Sequence, residues 1–202
     1  MLRVGVTGGI GSGKSLVCGM FTRQGIPVLS ADRIAKQIMR RDKVLRRKLT
    51  SLLGSSSYGP GGALNKGHIA AKIFSSPLLQ RKVNAIVHPR VEAELEKRFL
   101  KLSRSGNRIG IVEAALIFES GYDKSLDFVI VVDAPERKRI QRVVSRDKTS
   151  AREVRKRIRA QLPIRKKLEQ ADYVIRNKGS IKDLEYSVRF LIMVLKKIAQ
   201  QE

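Results

Sequence analysis

Along most of the chain, short apolar runs rich in β-branched residues alternate with longer stretches whose apolar positions recur every three or four residues. Leu2 to Thr7 reads as a short strand, followed by glycines and by a helix with Leu16, Val17, Met20 and Phe21 on one side that closes at Gly25. Ile26 to Leu29 reads as a second strand, ending in Ser30, Ala31 and Asp32. From Arg33 to about Leu53, the residues Ile34, Ile38, Leu45, Leu49 and Leu52 keep helical spacing, and Gly54 to Gly62 is a Ser- and Gly-rich loop. Three further helices are expected over Lys66 to Phe74, Leu78 to Val87 and Arg90 to Leu102, broken at Pro77 and at His88-Pro89. Ile109 to Val112 and Phe128 to Val132 have the composition of strands covered on both faces of a parallel sheet, and an acid follows each, Glu113 and Asp133. Pro135 is placed as the first residue of a helix in which Arg139, Arg142 and Arg146 share a face away from Ile140, Val143 and Val144. Val154, Ile158 and Leu162 mark the next helix, Tyr173 to Ile175 a fifth strand, and Leu184, Val188, Leu191, Leu195 and Ile198 an amphipathic C-terminal helix.

Strands alternating with helices predict an α/β fold with a five-stranded parallel sheet, right-handed crossovers and flanking helices. Residues 1–32, 103–135 and 168–202 would form the core, 33–102 a helical insertion, and 136–167 a basic lid.

Composition narrows the function. With 42% hydrophobic residues in 202, the chain folds rather than staying disordered. Phe190 to Leu195 is the longest apolar run, far short of the roughly 20 residues of a membrane span. The opening Met-Leu-Arg runs straight into strand residues without the regions of a cleavable leader, which predicts a cytoplasmic protein. Cys18, the only cysteine, excludes an internal disulfide and a cysteine-based zinc site, and is expected in the core. The net charge of +24 fits nucleic-acid binding, anionic small-molecule substrates or a basic solvated surface. Aromatic residues at 5%, without Trp and without a groove-reading motif, count against nucleic acid. Much of the positive charge falls between Arg137 and Lys167.

The chemistry enters at Gly8-Gly9-Ile10-Gly11-Ser12-Gly13-Lys14-Ser15, which fits G-x-x-x-x-G-K-[ST] at every fixed position, between a predicted strand and a predicted helix. Glycines let successive N–H groups turn inward around phosphate oxygens, and the helix N-terminus adds partial positive charge. Gly9, Ile10, Gly11, Ser12 and Gly13 are thus expected to bind ATP, with Lys14 reaching the β- and γ-phosphates and the Ser15 hydroxyl ligating Mg2+. A GTPase needs a guanine-reading acid, but Asn177-Lys178-Gly179-Ser180 has Ser where that acid belongs, and no D-x-x-G occurs. A motor needs more chain. A small kinase remains, with one insertion to hold the acceptor and one to cover the phosphates.

Thr7 to Ser15, Ala31-Asp32, His88-Pro89, Ala115-Leu116-Ile117-Phe118-Glu119, Gln141-Arg142, and Ala171-Asp172-Tyr173-Val174-Ile175 with Asn177 and Gly179 resemble the dephospho-CoA kinase family, in the family's order and over nearly the whole chain. The resemblance implies transfer of the ATP γ-phosphate to the ribose 3′-hydroxyl of dephospho-CoA. In a 2-3-1-4-5 sheet, Asp32 is expected as general base or orienter of the acceptor hydroxyl, or alternatively as a helix cap. Glu113 would hold the magnesium, or pair with a lid arginine. Arg142 matches the family's lid arginine and would neutralise charge on the transferring phosphoryl group. Asn177 is expected near adenine, His88 near the acceptor, and Thr7 at the loop or the acceptor. Two alternatives stay open: a kinase for another nucleoside-like acceptor, and an ATP-switched nucleic-acid-binding protein, which would lose affinity steeply between about 50 and 200 mM salt.

Overall fold

Burial of β-branched strands on both faces organises the fold. In the computed structural model, which describes residues 1–201 apart from the side chain of Phe74, the strands are β1 (Leu2–Thr7), β2 (Val28–Ser30), β3 (Ile109–Glu113), β4 (Phe128–Asp133) and β5 (Tyr173–Arg176). They form one parallel sheet in the order β2-β3-β1-β4-β5, as expected. The helices are α1 (Lys14–Arg23), α2 (Ala31–Arg41), α3 (Lys43–Leu53), α4 (Lys66–Ser75), α5 (Pro77–Arg104), α6 (Ile117–Ser120), α7 (Glu136–Asp147), α8 (Ala151–Arg159), α9 (Ile164–Glu169) and α10 (Ile181–Gln201). Among the described residues, no helix is long and apolar enough to cross a membrane. The chain divides into two units, Met1–Ser30 with Arg98–Glu202, and Ala31–Lys97.

In the first unit β1 is central: Val4 is in register with Ile111 on one side and Phe128 on the other. Strands β2 and β3 lie to one side of it and β4 and β5 to the other. The loop after β1 therefore opens at the switch point of strand order, where parallel α/β sheets bind their ligands. Pleating sends Val4 and Val6 to one face, where Val17, Met20 and Phe21 of α1 and Leu184, Val188, Leu191 and Leu195 of α10 complete a buried core. Gly5 faces the other way. A Cβ there would lie 2.6 Å from Leu126 and 2.9 Å from Ile117, so this strand position admits little more than hydrogen. Strand β2 starts two residues later than the apolar run predicts, because Ile26 and Pro27 belong to the approach from α1.

In the second unit, Ile34 of α2, Leu45, Leu49 and Leu53 of α3, and Val83, Val87, Val91 and Leu95 of α5 are buried. The single helical stretch expected from Arg33 to Leu53 is two helices. Asp42 breaks it, its carboxylate accepting the Val44 and Leu45 N–H groups at 2.9 Å as the cap of α3. The expected break at His88-Pro89 is absent, and α5 runs through Pro89. An interior proline costs about 3 kcal/mol, but Val83, Val87, Val91 and Leu95 form one buried i, i+4 stripe across it, each worth about 1.5–3 kcal/mol. Burial wins, helped by Arg90, whose Nη1 donates to the Ile86 carbonyl at 3.2 Å in the turn that the proline weakens. Pro135 caps α7 rather than starting it, and α9 is a helix that periodicity does not reveal.

Candidate active site

The P-loop joins β1 to α1. Its turns come from Gly8, Gly11 and Gly13, with φ of 146°, 77° and 99°, and α1 starts at Lys14 with no side-chain cap and no acid in its first turn. The first N–H groups of the helix are thus left for an anion. Lys14 Nζ donates to the Gly8 carbonyl at 3.0 Å, which folds the ammonium back over the loop. Ser15 Oγ donates to Glu113 Oε1 at 2.6 Å, which joins the hydroxyl after the lysine to the acid ending β3. No lid arginine bonds Glu113 among the described residues. A hydroxyl and a carboxylate this close are hard oxygen donors of the kind Mg2+ takes while keeping water and phosphate ligands. No larger cluster of His, Cys, Asp or Glu gathers among the described residues. Ser12 is buried and its Oγ has no partner in the protein. Cys18 lies in the core behind the loop, and burial pushes its thiol up, well beyond the ordinary range.

The remaining walls come from after β3, β4 and β5. Thr7, buried at the end of β1, donates through Oγ1 to the Ala115 carbonyl at 3.4 Å. Asn177, buried after β5, donates to the Ser12 carbonyl at 2.8 Å, and its own N–H reaches the Asp133 carbonyl at 2.7 Å. Arg142 is exposed. Its guanidinium spans the Gly11 and Ser12 carbonyls at 3.4 Å and Asn177 Oδ1 at 3.5 Å, all long contacts on the outer side of the loop. Arg146 instead pairs with Asp147 at 2.8 Å. The face the three arginines share is not turned away from the apolar residues as expected, because Val143 lies one turn on from Arg139 on the same side. Arg139 is 4% exposed, buried like Val143 one turn on, and its guanidinium touches Gly9 so closely that a Cβ there would collide with it. Its nearest acid, Glu136, is 3.7 Å away, and its Nε has no partner. The signal for Arg139 was its i, i+4 relation to Val143, which outweighs the charge pattern.

Two further residues were not singled out from the sequence. Ile10 donates its N–H to Gln161 Oε1 at 3.0 Å, and Lys167 of α9, fully buried, lies 2.7 Å from Glu119. Neither shows in the sequence, since a glutamine and a lysine inside a basic run look like a solvated helix face.

Asp32 and His88 belong to the unit spanning 31–97. Asp32 is exposed on the first turn of α2, two residues beyond β2 and inside the helix rather than at its cap position. His88 is half-buried on α5, and burial holds its imidazole below the ordinary 6.5 against the pull of Glu92 one turn on.

The family model for dephospho-CoA kinase matches residues 2–183. A dephospho-CoA kinase from Chlorobaculum tepidum is 40% identical, with 93% of this chain and 91% of that protein covered. Another from Corynebacterium efficiens is 35% identical over 95% and 96%. Among solved structures, a Thermus thermophilus protein superposes with a TM-score of 0.80 at 34% identity over 96% of this chain and 97% of its own. The dephospho-CoA kinase of Campylobacter jejuni gives 0.70 at 25% identity, covering 98% of both chains. With a P-loop in the setting its chemistry needs and a match over nearly the whole length, the chain belongs to the dephospho-CoA kinase family and is an ATP-dependent kinase.

Proposed function

We propose that the protein transfers the γ-phosphoryl group of ATP to the ribose 3′-hydroxyl of dephospho-CoA, giving coenzyme A and ADP. The family match across residues 2–183 carries the acceptor's identity. In this reading the loop from Gly9 to Gly13 wraps the phosphates, with the Ile10 N–H kept by Gln161 and the Ser12 N–H by the Gly9 carbonyl, and Lys14 swings from the Gly8 carbonyl to the bridging oxygens. Ser15 and Glu113 would hold Mg2+, which supplies charge neutralisation for the polyphosphate. Asp32 accepts the proton of the attacking hydroxyl, an effect worth about 10²- to 10⁴-fold. Arg142 moves from the loop carbonyls to the transferring group, Asn177 borders the adenine, and Thr7 and His88 serve the acceptor. Residues 33–102 hold the acceptor and 136–167 cover the phosphates, excluding water. The reading carries a cytoplasmic location and no nucleic-acid partner.

ADP release with and without dephospho-CoA tests it. Turnover depends on the acceptor, and Lys14→Ala and Asp32→Ala each lower it by at least about a hundredfold. Acceptor-independent hydrolysis stimulated by RNA or DNA would defeat the reading.

A further inference from the structure

The Ile10 N–H belongs to the P-loop, a turn of backbone suited to anions. It is taken by Gln161 Oε1 at 3.0 Å, so a neutral carboxamide from the connection between α8 and α9 sits on the loop. That connection is anchored. Glu119 Oε1 accepts the Leu162 N–H at 2.9 Å and lies 2.7 Å from Lys167 Nζ, which also donates to the Ala115 carbonyl at 2.8 Å. The residue after Gln161 and a fully buried ammonium are thus tied to one carboxylate on α6, and a buried charge does not leave its partner readily. A carboxamide has an oxygen acceptor and an NH₂ donor group. With the oxygen turned to Ile10, the NH₂ group of Gln161 is left to donate beside a loop built for phosphate. Asn177 and Arg142 hold the Ser12 end of the loop, the expected adenine side, and Gln161 holds the opposite end.

We propose that Gln161 is a further phosphate-site residue: its oxygen pins the loop at Ile10 and its NH₂ group donates to the terminal phosphate of ATP. Glu119 and Lys167 are positioning residues that hold it there. The proposal rests on the reading of the loop as an ATP site and not on the identity of the acceptor.

Calorimetric binding of ATP and of ADP to the full chain, without acceptor, tests it. Gln161→Ala weakens ATP by about tenfold or more, as expected for a hydrogen bond to a charged group, and leaves ADP within about twofold. Gln161→Glu keeps an acceptor for Ile10 but replaces the donors with negative charge. It weakens ATP more than alanine does at about pH 8, where the carboxyl is ionised. Glu119→Gln combined with Lys167→Met repeats the ATP-selective loss. Unchanged affinities, or equal losses for ATP and ADP, overturn the proposal. Failure of the wild type to bind ATP would overturn the reading of the loop instead.

Discussion

Adjacent glycines in the P-loop are constrained for different reasons, and a methyl group tells them apart. At Gly8, φ is 146° and an added Cβ would collide with the Val132 carbonyl, which belongs to the backbone of β4 and cannot yield. At Gly9 the obstacle is the tip of the Arg139 guanidinium, which can swing aside. Gly8→Ala should therefore cost about 2–4 kcal/mol, combining left-handed strain with overpacking, and Gly9→Ala less than about 1.5 kcal/mol while displacing Arg139. Urea titration of the two variants gives the comparison, and a Gly9→Ala loss as large as that of Gly8→Ala would show Arg139 to be as immovable as backbone. At this scale the motif residues were legible because each position of G-x-x-x-x-G-K-[ST] has its own chemical duty. Arg139 and Gln161 were not, because their partners lie about 130 and 151 residues away in sequence and no local pattern records them.

Helix boundaries depend on single side chains that periodicity ignores. Asp42 caps α3 and binds Arg90 Nε of α5 at 2.9 Å, and these contacts, the Leu45 N–H first, hold its carboxyl below the ordinary 3.8. Asp42→Ala should remove about 1–2 kcal/mol of stability, mostly the cap, since the pair is partly solvated. Hydrogen exchange should accelerate in the first turn of α3, and unchanged protection there would refute the capping role. Strands β1, β3 and β4 were readable because both their faces are covered, which forces continuous β-branched runs. Two helix boundaries depart from periodicity for opposite reasons: at Asp42 a carboxylate ends a helix whose apolar spacing continues, and at Pro89 a buried stripe carries α5 on.

For the whole molecule, titration sets the pH range of stability. His88 has a lower pKa folded than unfolded, so the unfolded chain takes up the proton first as pH falls below about 6.5, and stability declines there until the folded imidazole titrates as well. Asp42 and Asp147, the latter held down by Arg146 and then Arg157, have depressed carboxyls. Their stabilisation is present above 3.8 and is lost only as pH falls below it. Denaturation midpoints for His88→Gln should accordingly vary less than wild type between about pH 7 and pH 5, and match its decline below pH 4. A parallel decline across both ranges would assign the first phase elsewhere.

The central position of β1 also bears on how the protein is made. Its register partners, Leu2 with Ile109 and Val4 with Phe128, are synthesised more than a hundred residues after it. On the ribosome the first strand emerges with its hydrogen-bonding edges open on both sides and waits while the whole of 31–97, which has its own contacts, is completed. Nucleotide binding is therefore a late event in biogenesis, and a nascent chain stalled before Asp133 would expose an apolar strand to chaperones.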